Sequence, residues 1–310
     1  MINYKENKIA AIVCCRWEEN YILEFLNHYK KLGITKMFIL DNNDSDYDKP
    51  LKPIIQQFID EEFVEYCDYL DVDYIQKNCY NDIYFKHKNE YDYWLVIDVD
   101  EFIHLDEKYN TINDLLNDPI FFNVDVIQFP WIFMISENLQ YHYEDIPLRT
   151  RFNIKGIRSH NNKLDSTCIK SLFKTSDNIE RVNLHYPFYK DNKNIICKYS
   201  NGKLNQNINE LIYSYNAYDL QNIQNYIEHY AYKSADEYVN KIIRGRANRR
   251  DKTNFEEITV NKLVFNYLKF LDINYNIYDI IQIKEYIGNK LTKFINKYKN
   301  NEIKCRLNNI

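Results

Sequence analysis

Apolar and polar positions along the first hundred residues fall into two alternating kinds of block. Stretches rich in apolar residues at 8–15 (KIAAIVCC), 36–40 (KMFIL), 62–67 (EFVEYC) and 93–102 (YWLVIDVDEF) read as strands. Between the first two, Ile22, Phe25, Leu26 and Tyr29 fall at i, i+3, i+4 and i+7, one face of a 3.6-residue period. Gly33 stands where such a helix ends in the C′ manner. Residues 51–60 and 73–90 also read as helical. This strand–helix rhythm predicts a parallel sheet with alternating helices over the first 105 residues. The polar run from Asp41, DNNDSDYD, comes directly after the second strand, at the edge where open α/β sheets bind ligands.

The rhythm is lost further on. Residues 124–134 (VDVIQFPWIFM) and 166–173 (STCIKSLF) read as strands, and the polar stretch between them is long enough to suggest a functional loop. In SADEYVNKIIRGR, Ser234 and Glu237 have the spacing of a capping box. Two or three helices are expected within 255–300. With no internal repeat and no Pro-, Gly- or Ser-rich linker, one catalytic domain over 1–250 and a helical extension over 251–310 are expected.

Composition narrows the function classes. Forty Lys and Arg against 45 Asp and Glu give a net charge of −5, without the basic excess of a nucleic-acid binder. At 310 residues and 45% apolar content the chain can bury a sizeable core, which excludes global disorder. Seven cysteines without CxxC spacing suit reduced thiols rather than a disulfide framework. No apolar run is long enough to span a membrane, and the N-terminal residues lack a signal-peptide pattern. A cytoplasmic protein, at most peripheral at a membrane, is the expectation.

The chemistry concentrates at the end of the 93–102 run. Asp98 and Asp100 flank Val99 and precede Glu101. In extended backbone, residues two apart point to the same side, so both carboxylates can approach one cation if the chain does not turn between them. Hard oxygen ligands suit Mg2+ or Mn2+. Such an ion bridging a diphosphate would stabilise a departing nucleoside diphosphate. A solvated turn is the plain alternative. For Asp41 to Asp44, hydrogen bonds to a ribose or base compete evenly with an Asx-rich loop that satisfies its own backbone.

Four segments taken in order resemble a glycosyltransferase of the GT-A type, within the family-2-like and family 92 group. They are WEENYILEFLNHYKKLGITKMFILDNNDSD, YDYWLVIDVDEFI, TCIKSLFKTSDNIERVNLHYP and EHYAYKSADEYVNKIIRGR, which together cover residues 8 to about 250. The resemblance implies a Rossmann-like mixed sheet with flanking helices, a nucleotide-sugar donor (usually a UDP-sugar) and Mn2+ or Mg2+. It also implies inversion, with galactose a candidate sugar and a glycan or glycolipid as acceptor. Arg16 and Glu19 of the first loop, with Asp41 and Asn43, would hold the nucleoside. Asp98 would lie near the ribose or sugar, and Asp100 would bind the metal.

A histidine distant in sequence often completes such a site. His229 is the first candidate, with Lys233 four residues on and able to reach the diphosphate; His185 is the rival. A histidine bonded to backbone is the alternative for either. Arg244, in a short basic run, reads as a solvated helix end or as a diphosphate contact. An inverting transfer needs a carboxylate base, for which Glu144 or Asp145 in the irregular region is the expectation. Trp131 could stack on a sugar or serve the core. Lys284 to Arg306 holds seven basic and two acidic residues among apolar ones. It reads as a packed helix with lysines outward, or as a peripheral contact with an anionic membrane.

Other classes fit less well. A nucleotidyltransferase could also place two aspartates on one metal. It usually carries a Gly-rich or basic N-terminal loop, and no glycine precedes Gly33. A carbohydrate-binding protein would need neither nucleotide nor metal. A degenerate glycosyltransferase kept for interaction would not need Asp98, Asp100 and His229, all of which are present.

Overall fold

The first strand, β1 (Ile9–Cys15), is buried at all seven positions and is the axis on which the parallel strands assemble. In the computed structural model, residues 4–72, 75–143, 145–156, 166–191, 194–208, 212–214, 222–244, 261, 264–265, 267–268 and 277–299 are described. They divide into two units. The first comprises the chain up to Ile132 and Ser159–His229; the second comprises Phe133–Arg158 and the chain from Tyr230 onward. The expected domain boundary at residue 250 lies outside the described residues.

In the first unit β1 leads to α1 (Ile22–Lys31) and β2 (Lys36–Asp41). Ile22, Phe25, Leu26 and Tyr29 are the buried face of α1, as their spacing predicts, and each contributes about 1.5–3 kcal/mol by burial. Gly33, at φ 85, ends the helix. Its N–H donates to Lys30 O and that of Ile34 to Tyr29 O, the paired bonds of a Schellman motif. After α2 (Leu51–Ile54) and α3 (Gln56–Asp60), β3 (Val64–Asp68) pairs parallel with β2. The helix expected over 51–60 is thus two short ones. α4 (Ile75–His87) leads to β4 (Tyr93–Val96), parallel to β1. Tyr84 of α4 packs edge-on against the buried Trp94 of β4.

The strand expected over 93–102 is broken. The chain leaves β4, turns at Val99–Asp100, and resumes as β5 (Glu101–His104). Beyond α5 (Ile112–Leu116) come β6 (Val126–Ile135), α6 (Leu148–Arg151), β7 (Ile154–Lys155), β8 (Ser166–Lys174), β9 (Ile179–Val182) and β10 (Pro187–Tyr189). β11 (Cys197–Tyr199), β12 (Ile212–Ser214) and β13 (Tyr226–His229) come next. Sheet order among the described residues is β3-β2-β1-β4-β8-β6-β13-β5, with β11 on β6 and β12 on β8. The first four strands are parallel, as the rhythm predicts, and β8 then enters antiparallel between β4 and β6. This mixed sheet with flanking helices is the architecture expected of a GT-A domain.

In the second unit, β7 pairs antiparallel with the end of β6 at Met134 and Ile135. It also holds α7 (Ala235–Arg244) and α8 (Ile277–Lys299). The start of α7 carries the expected box: Glu237 N–H donates to Ser234 Oγ, and Ser234 N–H donates to Glu237 Oε2. On α8, Ile283, Ile287 and Leu291 are buried while Lys284 and Lys293 are exposed, so this part of the basic region is a packed helix. Among the described residues no helix is long and apolar enough to cross a membrane. None of the six described cysteines is in a disulfide.

Candidate active site

The acidic turn after β4 is built from both sides of the chain. Glu101 N–H donates to Asp98 O at 3.0 Å, and Asp98 N–H donates to Glu101 Oε2 at 3.2 Å. These bonds close the turn between the two aspartates, so they are not the same-side pair of an extended strand. The cause is local: the continuous apolar run ends at Ile97, and Glu101 satisfies the turn with its own backbone and carboxylate. Tyr29 of α1 fixes the start of β5, donating its hydroxyl to Glu101 O at 3.0 Å and accepting from Ile103 N–H at 3.1 Å.

Two strands bring partners to this turn. β13 pairs antiparallel with β5 so that His229 stands opposite Glu101. His229 Nε2 thereby lies 3.9 Å from Asp100 Oδ1, both residues being buried. β8 brings Lys170, whose side chain has no exposed surface. Its Nζ is 3.0 Å from Asp98 Oδ2 and 3.1 Å from Glu101 Oε2. Burial lowers the Lys170 pKa, but Asp98 and Glu101 outweigh it and hold the ammonium above its usual range. Glu101 is pushed up, first by burial and then by Asp98 and Asp100, with Lys170 opposing.

Trp131 packs against the rings of His229 and His185, at centroid distances of 4.2 and 5.4 Å. The Nδ1 atom of His185 is 2.8 Å from Ile169 O, a backbone bond that anchors its ring. Of the two candidate histidines, His229 stands 3.9 Å from Asp100.

The carboxyl ends of β1 and β2 form a second cluster in the same unit. Arg16 is buried, donates to Asn42 O at 2.9 Å, and pairs with Asp44 at 2.9 Å. Trp17 takes the left-handed conformation at φ 53, uncommon for so bulky a residue. Its N–H donates to Asn43 Oδ1 at 2.8 Å, and its ring stacks on Tyr47 at 5.2 Å. Asp41 accepts from Asn43 N–H and from Tyr66 Oη–H. Burial raises its pKa, while those two bonds lower it. Glu19 accepts from the Tyr47 hydroxyl at 2.7 Å. Much of the hydrogen bonding of Asp41 to Asp44 therefore stays within the protein, the Asx-loop behaviour weighed as one alternative.

Lys233, Arg244 and Asp145 belong to the second unit. Lys233 lies in a loop, not on a helix, at φ 52, buried just before Ser234, and its charge acts on Glu237. Arg244 is the last residue of α7. Asp145 is exposed, and Glu144 lies outside the described residues.

The family model described as glycosyltransferase family 92 matches residues 12–271. The chain belongs to glycosyltransferase family 92. Similar solved structures are distant. Residues 1–349 of S. aureus TarS match over 93% of this family 92 chain and 72% of that one, at 13% identity and TM-score 0.33. The UDP complex of TarS 1–349 matches over 44% of this chain and 38% of that one, at 16% identity and TM-score 0.30. The mannosyltransferase PcManGT from Pyrobaculum calidifontis, in complex with GDP-Man and Mn2+, matches over 55% and 45%, at 11% identity and TM-score 0.29. The match to the longer TarS structure spans 23% of that chain. No curated protein sequence matches.

The DxD-like motif at Asp98–Asp100 raises the expectation of a divalent cation. Among the described residues, no three His, Cys, Asp or Glu side chains form a ready-made metal cluster. Asp100 and His229 nonetheless offer a carboxylate oxygen and an imidazole nitrogen, a mixed set that Mn2+ accepts. Water and phosphate oxygens commonly complete such a shell. The Asp100 and His229 donors of this family 92 chain thus fit a divalent cation. Lys170 is the residue whose place in the site the motif reading missed. Its signal was a lysine within the apolar strand TCIKSLF, since lysine is rarely buried unless it is paired.

Proposed function

We propose that this chain moves a sugar from a nucleotide-sugar donor, a UDP-sugar in the first instance, to a hydroxyl of a glycan or glycolipid. The carrying observation is the Asp100–His229 pair at the turn of a family 92 chain. These two residues would hold Mn2+ or Mg2+. When bound, that ion supplies positive charge against the developing negative charge of the leaving nucleoside diphosphate.

The protein groups do the rest. Lys170 keeps Asp98 Oδ2 engaged, leaving Oδ1 to accept from a donor hydroxyl. Arg16, with Asp44, holds the first loop against the Asp41–Asn43 segment, and the stacked Trp17 and Tyr47 rings give the nucleoside a firm border. Asn43 and Glu19 maintain that border through Trp17 and Tyr47. Lys233 and Arg244 supply positive charge for the diphosphate. The reaction inverts the anomeric centre, and a carboxylate of the Glu144–Asp145 segment takes the acceptor proton. Most of the rate gain comes from orienting the reactants and offsetting charge on the leaving group. Galactose is the sugar to test first.

Isothermal titration with UDP, GDP, CDP and ADP, each with and without Mn2+, tests the reading. UDP binding that requires Mn2+ and is lost in Asp100→Ala is the expected result, and a UDP-sugar hydrolysis screen then identifies the sugar. No nucleotide binding under any condition overturns the catalytic reading in favour of a binding or degenerate member of the family.

A further inference from the structure

We infer that Lys170 is a built-in counter-cation that withholds Asp98 Oδ2 and Glu101 Oε2 from metal binding, so that Asp100 with His229 supplies the protein's first ligands to the ion. This assignment rests on the cation site proposed above. Three carboxylates lie within four consecutive residues, 98 to 101, and two of them converge on one ammonium. Glu101 has no exposed side-chain surface. Its Oε2 receives both the Lys170 ammonium and the Asp98 N–H, while Oε1 has no hydrogen-bond partner among the described residues. An ion that recruited Glu101 Oε2 or Asp98 Oδ2 would have to displace a buried ammonium. Asp100 Oδ1 lies 3.9 Å from His229 Nε2.

The strand register places this ammonium with little freedom. Lys170 sits opposite Phe129 of β6, in a strand bonded on its other side to β4 through Leu172 and Leu95. The ring of Trp131 lies 6.0 Å from the ammonium. A charge this enclosed loses its solvation and is held in place only by its partners. Lys170 is therefore a positioning residue: it lets the acidic turn stay folded before any ion arrives, and it selects which carboxylate meets the ion.

The test is titration of Mn2+ alone into the full chain, monitored by the paramagnetic signal of unbound Mn2+, with thermal unfolding in parallel. Removing one positive charge beside the site should tighten Mn2+ binding about tenfold or more in Lys170→Met, while lowering the unfolding temperature. A merely structural lysine would weaken binding or leave it unchanged, and either result overturns the assignment. Asp98→Asn decides the matter if Lys170→Met does not fold. It should retain Mn2+ binding within about tenfold, because only charge and not a ligand is lost. Loss as complete as in Asp100→Asn overturns the assignment. If wild type binds no Mn2+ but Lys170→Met does, the counter-cation stands and the metal dependence proposed for the native reaction falls. If neither binds, both fall.

Discussion

Two buried ion clusters, one in each unit, use the same kinds of charge to opposite effect. In the second unit Arg151 and Glu237 are matched by a two-point contact, with N–O distances of 2.9 and 2.7 Å. Arg151 Nε also donates to Ile146 O, and Glu237 also accepts from Ser234 N–H. Burial raises the Glu237 pKa, but Arg151 and Lys233 outweigh it and bring it to about 2. In the first unit a single ammonium serves two carboxylates, and Glu101 is pushed upward instead. The matched pair, with Lys233 adding its charge, gives Glu237 ample positive charge and acts as a clamp. The unmatched cluster keeps a surplus of negative charge, which is what a site needs if it is to receive a cation.

The sharpest way to break this comparison is to open the clamp. Arg151→Met leaves Glu237 buried without its partner and should cost about 3–5 kcal/mol in a urea titration. A cost near zero would show that the pair is no more closed than the acidic turn. The next effect is in pH. The folded pKa of Glu237 lies below the unfolded 4.5, so the unfolded chain takes up the proton first as pH falls. Its contribution is complete above 4.5 and is lost on the way down to about 2. The whole span corresponds to about 3 kcal/mol. Wild type should therefore exceed Glu237→Gln in stability at about pH 6 and converge on it towards about pH 2, and a constant gap would contradict the matched pair. The smallest effect sharpens the picture. Ser234→Ala removes the cap but leaves the ion pair, and should cost about 1 kcal/mol, seen as faster amide exchange in the first turn of α7. A cost as large as that of Arg151→Met would mean that cap and clamp are one device.

Local rules carried the sequence reading as far as local forces govern the fold. The α1 face, the Gly33 stop and the Ser234–Glu237 box each depend on residues within a few positions of one another, and each is present. The parallel order of β1, β2 and β4 came from the strand–helix rhythm. The break at Asp98–Glu101 was legible only as an alternative, the turn weighed against a strand that runs on through three acidic residues to Phe102. What bends the chain there is a bond from the backbone of Asp98 to the carboxylate of Glu101, together with Tyr29 from a different element. Lys170 was hidden for a related reason. A lysine in a strand reads as an edge or solvent-facing residue until the strands on either side of it are known. His229 and Asp100 were both legible as chemistry, but their meeting depends on the β5–β13 register, which no short-range pattern encodes.

That dependence on distant strands has a kinetic side. Lys170 and Asp98 are 72 residues apart in sequence, and so are Tyr29 and Glu101. Contacts of such long range form late, after the entropy of closing large loops has been overcome. The parallel strands β1 and β2 can assemble early, but β4 joins β1 only across a comparably long separation, and the acidic turn that follows β4 must wait for β8 to bring its ammonium and for β13 to bring its imidazole. Until then three carboxylates crowd one turn with no neutralising partner, and the nascent sheet edge is polar and self-repelling. The same surplus of negative charge thereby discourages two unfinished chains from pairing through that edge while they fold.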